Sequence, residues 1–248
     1  VAWRRSALLD LKTTAIVQAR MGSTRLPGKI MCDLAGQSVL FRVVERLSRA
    51  RRLDEIMIAT TTQPADDAVA DLCHARAWNV FRGSENDVLD RYYHAAQASQ
   101  ADVVVRVTSD CPLVDAGVVD AVIADFLTQQ PGLDYSVTEG FPRGLDTEVF
   151  RADALARAWR EARDPALREH VTAHLYKHPE DYKLRSFIHR PDCSHHRWTV
   201  DTAEDLRLVQ LIFEHFPNAH FSWQEALALV ASHAEWNEIN AHIRQKEI

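Results

Sequence analysis

The stretch TAIVQARMGSTRLPGK, residues 14–29, runs from a strand-like apolar segment into a piece of chain holding two glycines, a proline and three cations. TAIVQ (14–18) reads as a buried strand, and Gly22, Pro27 and Gly28 after it mark a loop. Arg20, Arg25 and Lys29 fall within ten residues in a chain whose formal charge is -6. Such a loop suits a strongly anionic ligand. The competing reading is a solvated turn whose arginines pair with surface carboxylates.

Working outward from that loop, strands and helices alternate. QSVLFRVVERLSRA (37–50) puts Val39, Leu40, Val43, Val44 and Leu47 on one helical face, and EIMIATT (55–61) is a second strand. A helix is predicted from Pro64 to Ala77, with proline in the tolerated first turn. WNVF (78–81) gives a short third strand and ENDVLDRYYHAAQAS (85–99) a helix. DVVVRVT (102–108), AGVVDAVIADFLT (116–128) and LDYSV (133–137) read as strand, helix and strand. This order predicts an α/β domain: a mostly parallel central sheet with helices on both faces.

The rhythm changes over about 138–192, with PRGLDTEVF (142–150), helices near 152–163 and 166–177, and a strand-like KLRSFIH (183–189). That segment is expected to be a small subdomain inserted at the edge of the sheet, within a single domain spanning 13–248. RWTV (197–200) is predicted to resume the strand pattern, and AEDLRLVQLIFEHF (203–216) forms a long amphipathic helix.

Composition narrows the function classes. With 46% hydrophobic and 26% charged residues, the chain has the balance of a soluble globular domain. Its mild acidity speaks against nucleic acid or an anionic membrane as partner, because those demand a basic surface. No apolar run is long enough to span a bilayer. VAWRRSALLDLK (1–12) lacks the apolar core of a secretory signal and is read as an N-terminal extension of a cytoplasmic protein. Cys32, Cys73, Cys111 and Cys193 are scattered without a CxxC pair, so reduced thiols are expected.

The loop itself is neither a P-loop nor a dinucleotide fingerprint. Five residues, not four, separate Gly22 from Gly28, Ile30 follows Lys29 where Ser or Thr is required, and no two glycines are spaced GxG. What remains is a loop at the carboxyl end of the first strand, where open α/β sheets bind ligands. Backbone amides and three cations suit a triphosphate, with arginine offering bidentate contacts and lysine a compact charge. Triphosphate chemistry calls for a divalent ion. Asp110 follows the strand 102–108 in VVVRVTSDCPLVD, and Asp201 follows 197–200 in RWTVDTAEDL. Two carboxylates at one sheet edge suit Mg2+, which takes few protein ligands plus substrate oxygens. Each aspartate alone is equally a helix cap.

The segments IVQARMGSTRLPGK, IATT with DDAVADL, FRGSENDVLDRY, VVRVTSDCPLVD, PRGLDTEVF, REHVT and WTVDTAEDL occur in order from about residue 15 to 206. In this set the chain resembles the SpsF-type cytidylyltransferases of spore-coat polysaccharide biosynthesis, relatives of the enzymes that activate acylneuraminates and Kdo. The resemblance implies a nucleotide-diphospho-sugar transferase (glycosyltransferase-A-like) fold. It implies CTP as donor and Mg2+ at Asp110, with Asp201. It also implies triphosphate contacts from Arg20, Arg25 and Lys29, with Arg20, Lys29 and Asp110 in the catalytic roles. Ala19, Gly22 and Ser23 in the first loop, with Arg82, Gly83, Ser84 and Asp87 in FRGSENDVL, would line the nucleotide side. Relatives pair through the inserted region, so a homodimer is expected.

The acceptor, a small sugar acid or related molecule, is expected to meet the inserted segment. Arg143, Asp146, Glu148, Glu169 and His170 are its candidate contacts, with Arg143 or Arg168 holding a carboxylate; a structural ion-pair network is the alternative. His170, His174 and His178 fall at i, i+4 and i+8 on the predicted 166–177 helix, but no fourth ligand completes a metal set. CSHH (193–196) forms no zinc spacing, and Cys111 has no positioned histidine. Two rival functions remain. A glycosyltransferase on the same sheet would carry DxD, and no two aspartates here have that spacing. A non-catalytic nucleotide-sugar sensor would have no need of the two acids.

Overall fold

β1 (Thr13–Gln18) pairs in parallel with β4 (Glu55–Thr61) on one side and β6 (Val103–Thr108) on the other, with Thr14 opposite both Glu55 and Val104. The computed structural model of the chain describes residues 11–129, 132–216 and 219–244. The N-terminal extension expected at 1–12 falls outside the described residues except for its last two.

Side-chain alternation along β1 shows why the sheet is covered twice. Ala15 and Val17 enter one apolar cluster, whereas Ile16 enters the other, and all three are fully buried. The first cluster is closed by α1 (Val39–Leu47), α2 (Asp67–Ala75), α4 (Ala116–Thr128), α8 (Ala203–His215) and α9 (Trp223–Ser232). The second is closed by α3 (Val88–Ala98), α5 (Ala152–Glu161) and α7 (Ala173–Lys177). The face predicted for α1 is the buried one, and Ser38 caps the helix by accepting from the Phe41 amide at 3.1 Å.

The seven-stranded sheet runs β5–β4–β1–β6–β8–β7–β9, with β5 (Asn79–Gly83), β7 (Tyr135–Glu139), β8 (Glu148–Arg151) and β9 (Leu184–Ile188) completing it. Only β8 runs against the rest. A separate small ribbon joins β2 (Asp33–Leu34) and β3 (Gln37–Ser38). The stretch expected as an inserted subdomain therefore supplies strands to the main sheet. β8 lies between β6 and β7, and β9 forms the outer edge.

Two local expectations need correction. RWTV (197–200) is not a strand: Arg197 makes one isolated bridge to Arg143, and Trp198 donates its amide to the Arg143 carbonyl at 2.8 Å. Both edges of β6 are already taken by β1 and β8, so this segment has no ladder to join and crosses the strand ends instead. The helix predicted over 166–177 is two short ones, α6 (Pro165–Glu169) and α7. They are split where His170 adopts extended backbone and Val171 turns into the core. His170, His174 and His178 thus do not share one helical face.

The turn that carries Arg143 depends on Gly144. Its φ is +104°, and a Cβ there would lie 2.8 Å from the carbonyl atoms of Trp198. Gly144→Ala is expected to destabilise the chain by more than about 1 kcal/mol in urea unfolding. An unchanged midpoint would contradict this account of the 197–200 crossing.

Candidate active site

Ala19 extends the sheet past β1 by donating to the Ala59 carbonyl at 3.1 Å, after which the loop turns away. Its first turn is pinned by Asp66, which is 3% exposed and accepts the Met21 amide at 2.6 Å and the Thr61 hydroxyl. Gly28 then donates back to the Met21 carbonyl at 3.2 Å in a left-handed conformation, φ 67°. A short 3-10 turn, Lys29–Met31, begins there, and Ile30 is buried at its centre. With Ile30 fixed in the core, Lys29 faces across the strand ends.

The Lys29 ammonium meets both expected carboxylates, at 2.6 Å from Asp110 Oδ2 and 2.8 Å from Asp201 Oδ1. Asp110 leaves the end of β6, and its carbonyl accepts the Val200 amide at 2.7 Å and the Thr199 hydroxyl at 3.3 Å. Those bonds carry the 197–201 crossing to the end of β6 and bring Asp201 within reach. The other oxygen of Asp201, Oδ2, accepts from Arg25 at 2.9 Å and from Arg197 at 2.7 Å.

Behind Asp201 lies a buried network that sequence reading missed. Arg197 donates to both oxygens of Asp205, at 2.9 and 3.0 Å, and Asp205 is fully buried. Asn240 donates to the Arg197 carbonyl and to Asp205 Oδ1. Asp205 also completes a capping box with Thr202 at the start of α8, so the cap is Thr202 and not Asp201. The TxxD spacing of Thr202 and Asp205 is a visible signal for the cap. Nothing in the sequence pairs Asp205 with Arg197 or Asn240.

Electrostatics follow from this packing. Burial opposes the charge on Asp201, but Lys29 and Arg25, with the hydrogen bonds from Lys29 and Arg197, outweigh it and hold the carboxyl below its ordinary 3.8. Burial likewise opposes the Lys29 charge, yet Asp110 and Asp201 raise its pKa above the ordinary 10.5. Burial, reinforced by the charges of Asp110 and Asp146, pushes the Cys111 thiol well above its ordinary range, so it is no thiolate nucleophile.

A cavity of about 420 Å³ opens over this cluster. Arg20, Gly22, Ser23, Arg25, Lys29, Asp110, Glu169 and Asp201 line it, together with Gln18, Thr24, Ile30, Thr108 and Ser109. No carboxylate pairs with Arg20 among the described residues. Other candidates lie elsewhere. Arg82 donates to the Thr61 and Gln63 carbonyls and pairs with Asp67 at 2.7 Å, while Gly83 is the last residue of β5. Ser84 accepts the Asp87 amide at 3.1 Å, and Asp87 caps α3 and receives Arg168 at 2.6 Å.

On the acceptor side, only Glu169 of the expected contacts lines the cavity. His170 caps the end of α6. Arg143 lines a separate cavity of about 590 Å³ with His195 and His196. Asp146 accepts the Gly144 amide, and Glu148 pairs with Arg106 at 3.0 Å within the sheet. Arg168 does not face the cavity, because Asp87 and the carbonyls of Trp159 and Ala162 engage its guanidinium. Among the described residues, no group of three or more His, Cys, Asp or Glu side chains is arranged to hold a metal ion. Asp110 and Asp201 are the two carboxylates that converge on one cation, the Lys29 ammonium.

Cations and acids that meet past the carboxyl ends of β1 and β6 mark a ligand site of an open α/β sheet. The comparisons with known proteins specify it further. The model of the Cytidylyltransferase family matches residues 14–231. The spore coat polysaccharide biosynthesis protein SpsF of Bacillus subtilis is 34% identical over 207 residues, covering 80% of this chain and 85% of that protein. The 3-deoxy-manno-octulosonate cytidylyltransferase of Geobacter sulfurreducens is 34% identical over 125 residues, 50% of this chain and 48% of that one. The solved structure of a cytidylyltransferase from Leptospira borgpetersenii has a TM-score of 0.88 at 30% identity, covering 96% of this chain and all of that one. The chain belongs to the cytidylyltransferase family and is of the SpsF type. No helix among the described residues is long and apolar enough to cross a membrane.

The pKa directions give a pH test. A carboxyl lowered on folding stabilises the fold above its ordinary value and loses that contribution as pH falls through its folded value. The stability difference between the wild-type chain and Asp201→Asn, from urea unfolding, is expected to stay level from about pH 5 to 9. It should shrink only below 3.8. A difference that fades between about pH 6 and 8 would contradict the pairing.

Proposed function

We propose that this chain transfers CMP from CTP to a small sugar acid or related acceptor, with release of pyrophosphate, and that Mg2+ is its metal. The observation that carries the proposal is the meeting of Lys29, Asp110 and Asp201 at the head of a cavity rimmed by Arg20 and Arg25. Family membership supports CTP as donor. The names of the Bacillus and Geobacter relatives support a sugar-acid acceptor and a role in surface polysaccharide assembly. CTP is supplied in the cytoplasm, and the four free cysteines suit that compartment.

The donor set fits the metal. One oxygen from each of Asp110 and Asp201 already converges on a single cation, the Lys29 ammonium. Two carboxylates with phosphate oxygens and water are a common environment for Mg2+. When bound there, Mg2+ would polarise the α-phosphate and lower the pKa of the acceptor hydroxyl.

In the reaction an acceptor oxygen bonds to the α-phosphorus in line as the bond to the bridging oxygen of pyrophosphate breaks. The acceptor hydroxyl gives up its proton to solvent, and pyrophosphate leaves with the electron pair. Little covalent chemistry falls to the protein, so positioning and charge carry the rate. Arg20, Arg25 and Lys29 neutralise charge growing on the leaving pyrophosphate. Glu169, which also lines the cavity, would accept hydrogen bonds from acceptor hydroxyls. Arg25 acts twice, holding Asp201 and facing the phosphates.

The test is pyrophosphate release from each of the four NTPs with Mg2+ against a panel of sugar acids. CTP should turn over with at least one acceptor, and Asp110→Asn or Lys29→Ala should lose roughly a hundred-fold or more. In thermal or urea unfolding, CTP at about a hundred times its dissociation constant should add about 2.7 kcal/mol. Near-normal turnover by both variants, or equal use of ATP and GTP, would overturn the proposal.

A further inference from the structure

Two oxygens, Asp110 Oδ2 and Asp201 Oδ1, converge on the Lys29 ammonium at 2.6 and 2.8 Å. They come from segments 91 residues apart in the chain, and each belongs to a carboxylate whose other oxygen faces elsewhere. Asp201 Oδ2 is held by Arg25 and Arg197, and Asp110 Oδ1 lies 3.6 Å from the buried Cys111 sulfur. The pair of converging oxygens is therefore the seat through which both carboxylates reach one cation. Magnesium binds oxygen at about 2.0–2.1 Å, so an ion bridging these two oxygens would need the space the ammonium fills. Two cations cannot share it.

Resting on the cytidylyltransferase reading, we infer that Lys29 holds the metal seat in the nucleotide-free enzyme and is displaced from it when metal and nucleotide bind together. The chain is built for such an exchange. Gly28 and the buried Ile30 fix the backbone on either side of Lys29, leaving motion to its flexible four-carbon stem. Displacement frees the ammonium within a cavity where the triphosphate supplies new oxygens for it. Meanwhile Arg197, gripped by Asp205, keeps Asp201 aimed at the seat. Without nucleotide, a metal ion must evict Lys29 with no phosphate to receive it, so metal alone binds weakly. Lys29 thus couples metal occupancy to substrate arrival.

The test is Mn2+ affinity of nucleotide-free protein, read from the electron paramagnetic resonance signal of free Mn2+, for wild type, Lys29→Met and Lys29→Gln. Both variants are expected to bind Mn2+ about ten-fold or more tightly than wild type. Adding Asp201→Asn to either should remove the gain. Mn2+ should also raise the unfolding temperature of each Lys29 variant more than that of wild type, a readout that registers even if the unpaired acids weaken the fold. Folded variants with affinity no better than wild type would overturn the exchange, even if CTP turnover stood. Tighter binding by the variants, with no effect of CTP on wild-type Mn2+ affinity, would uphold Lys29 as occupant of the seat and count against the CTP reading instead.

Discussion

The Lys29 ammonium, bonded at once to Asp110 and Asp201, is the contact on which the rest of the site depends. Three remote parts of the chain meet there: the loop after β1, the end of β6, and the crossing before α8. Each arrives by its own backbone device. Gly28 turns the first, the Asp110 carbonyl receives the third, and the β1–β6 pairing sets the spacing between loop and strand end. The cluster is partly buried, with Lys29 12% and Asp201 13% exposed, so its charges are screened less by solvent than those of a surface pair.

An acidic protein thereby gathers three cations along one pocket, beside the carboxylates of Asp110, Glu169 and Asp201. Arg20, Arg25 and Lys29 line it, while Arg197 stands behind Asp201. Asp201 is surrounded by cations on both oxygens, which explains why it stays ionised although largely buried. Asp205 does structural work for the same end. It satisfies the Arg197 guanidinium, the Asn240 amide and the first turn of α8, and truncating it would leave a buried arginine short of partners.

The elements that carry this site were mostly legible in the sequence. Alternating apolar periods announced β1, α1, β4, α3, β6 and α4, because strong burial on one or two faces writes a clear pattern. The basic loop and the two aspartates were legible because strand ends in an open α/β sheet are where ligands bind. Where reading failed, the deciding force was tertiary. RWTV has strand composition but no free edge beside β6, so it became a crossing. The segment 166–177 has helical periodicity but breaks at His170 so that Val171 can enter the second core cluster. Arg168 and Glu148 looked available for a ligand, yet their partners, Asp87 and Arg106, lie far off in sequence. Asp66, inside the helix predicted from Pro64 to Ala77, also anchors the Met21 amide beneath the basic loop. Long-range polar pairing of this kind leaves no local period to read.

One measurement tests the central claim most directly: a double-mutant cycle on pyrophosphate release from CTP with Mg2+, comparing Asp110→Asn, Asp201→Asn and the two combined. If both carboxylates serve one cation seat, removing the second adds little once the first is gone, and the double variant should fall within about ten-fold of the worse single. Losses that multiply would mean that the two acids act at separate places, contradicting the shared seat at Lys29.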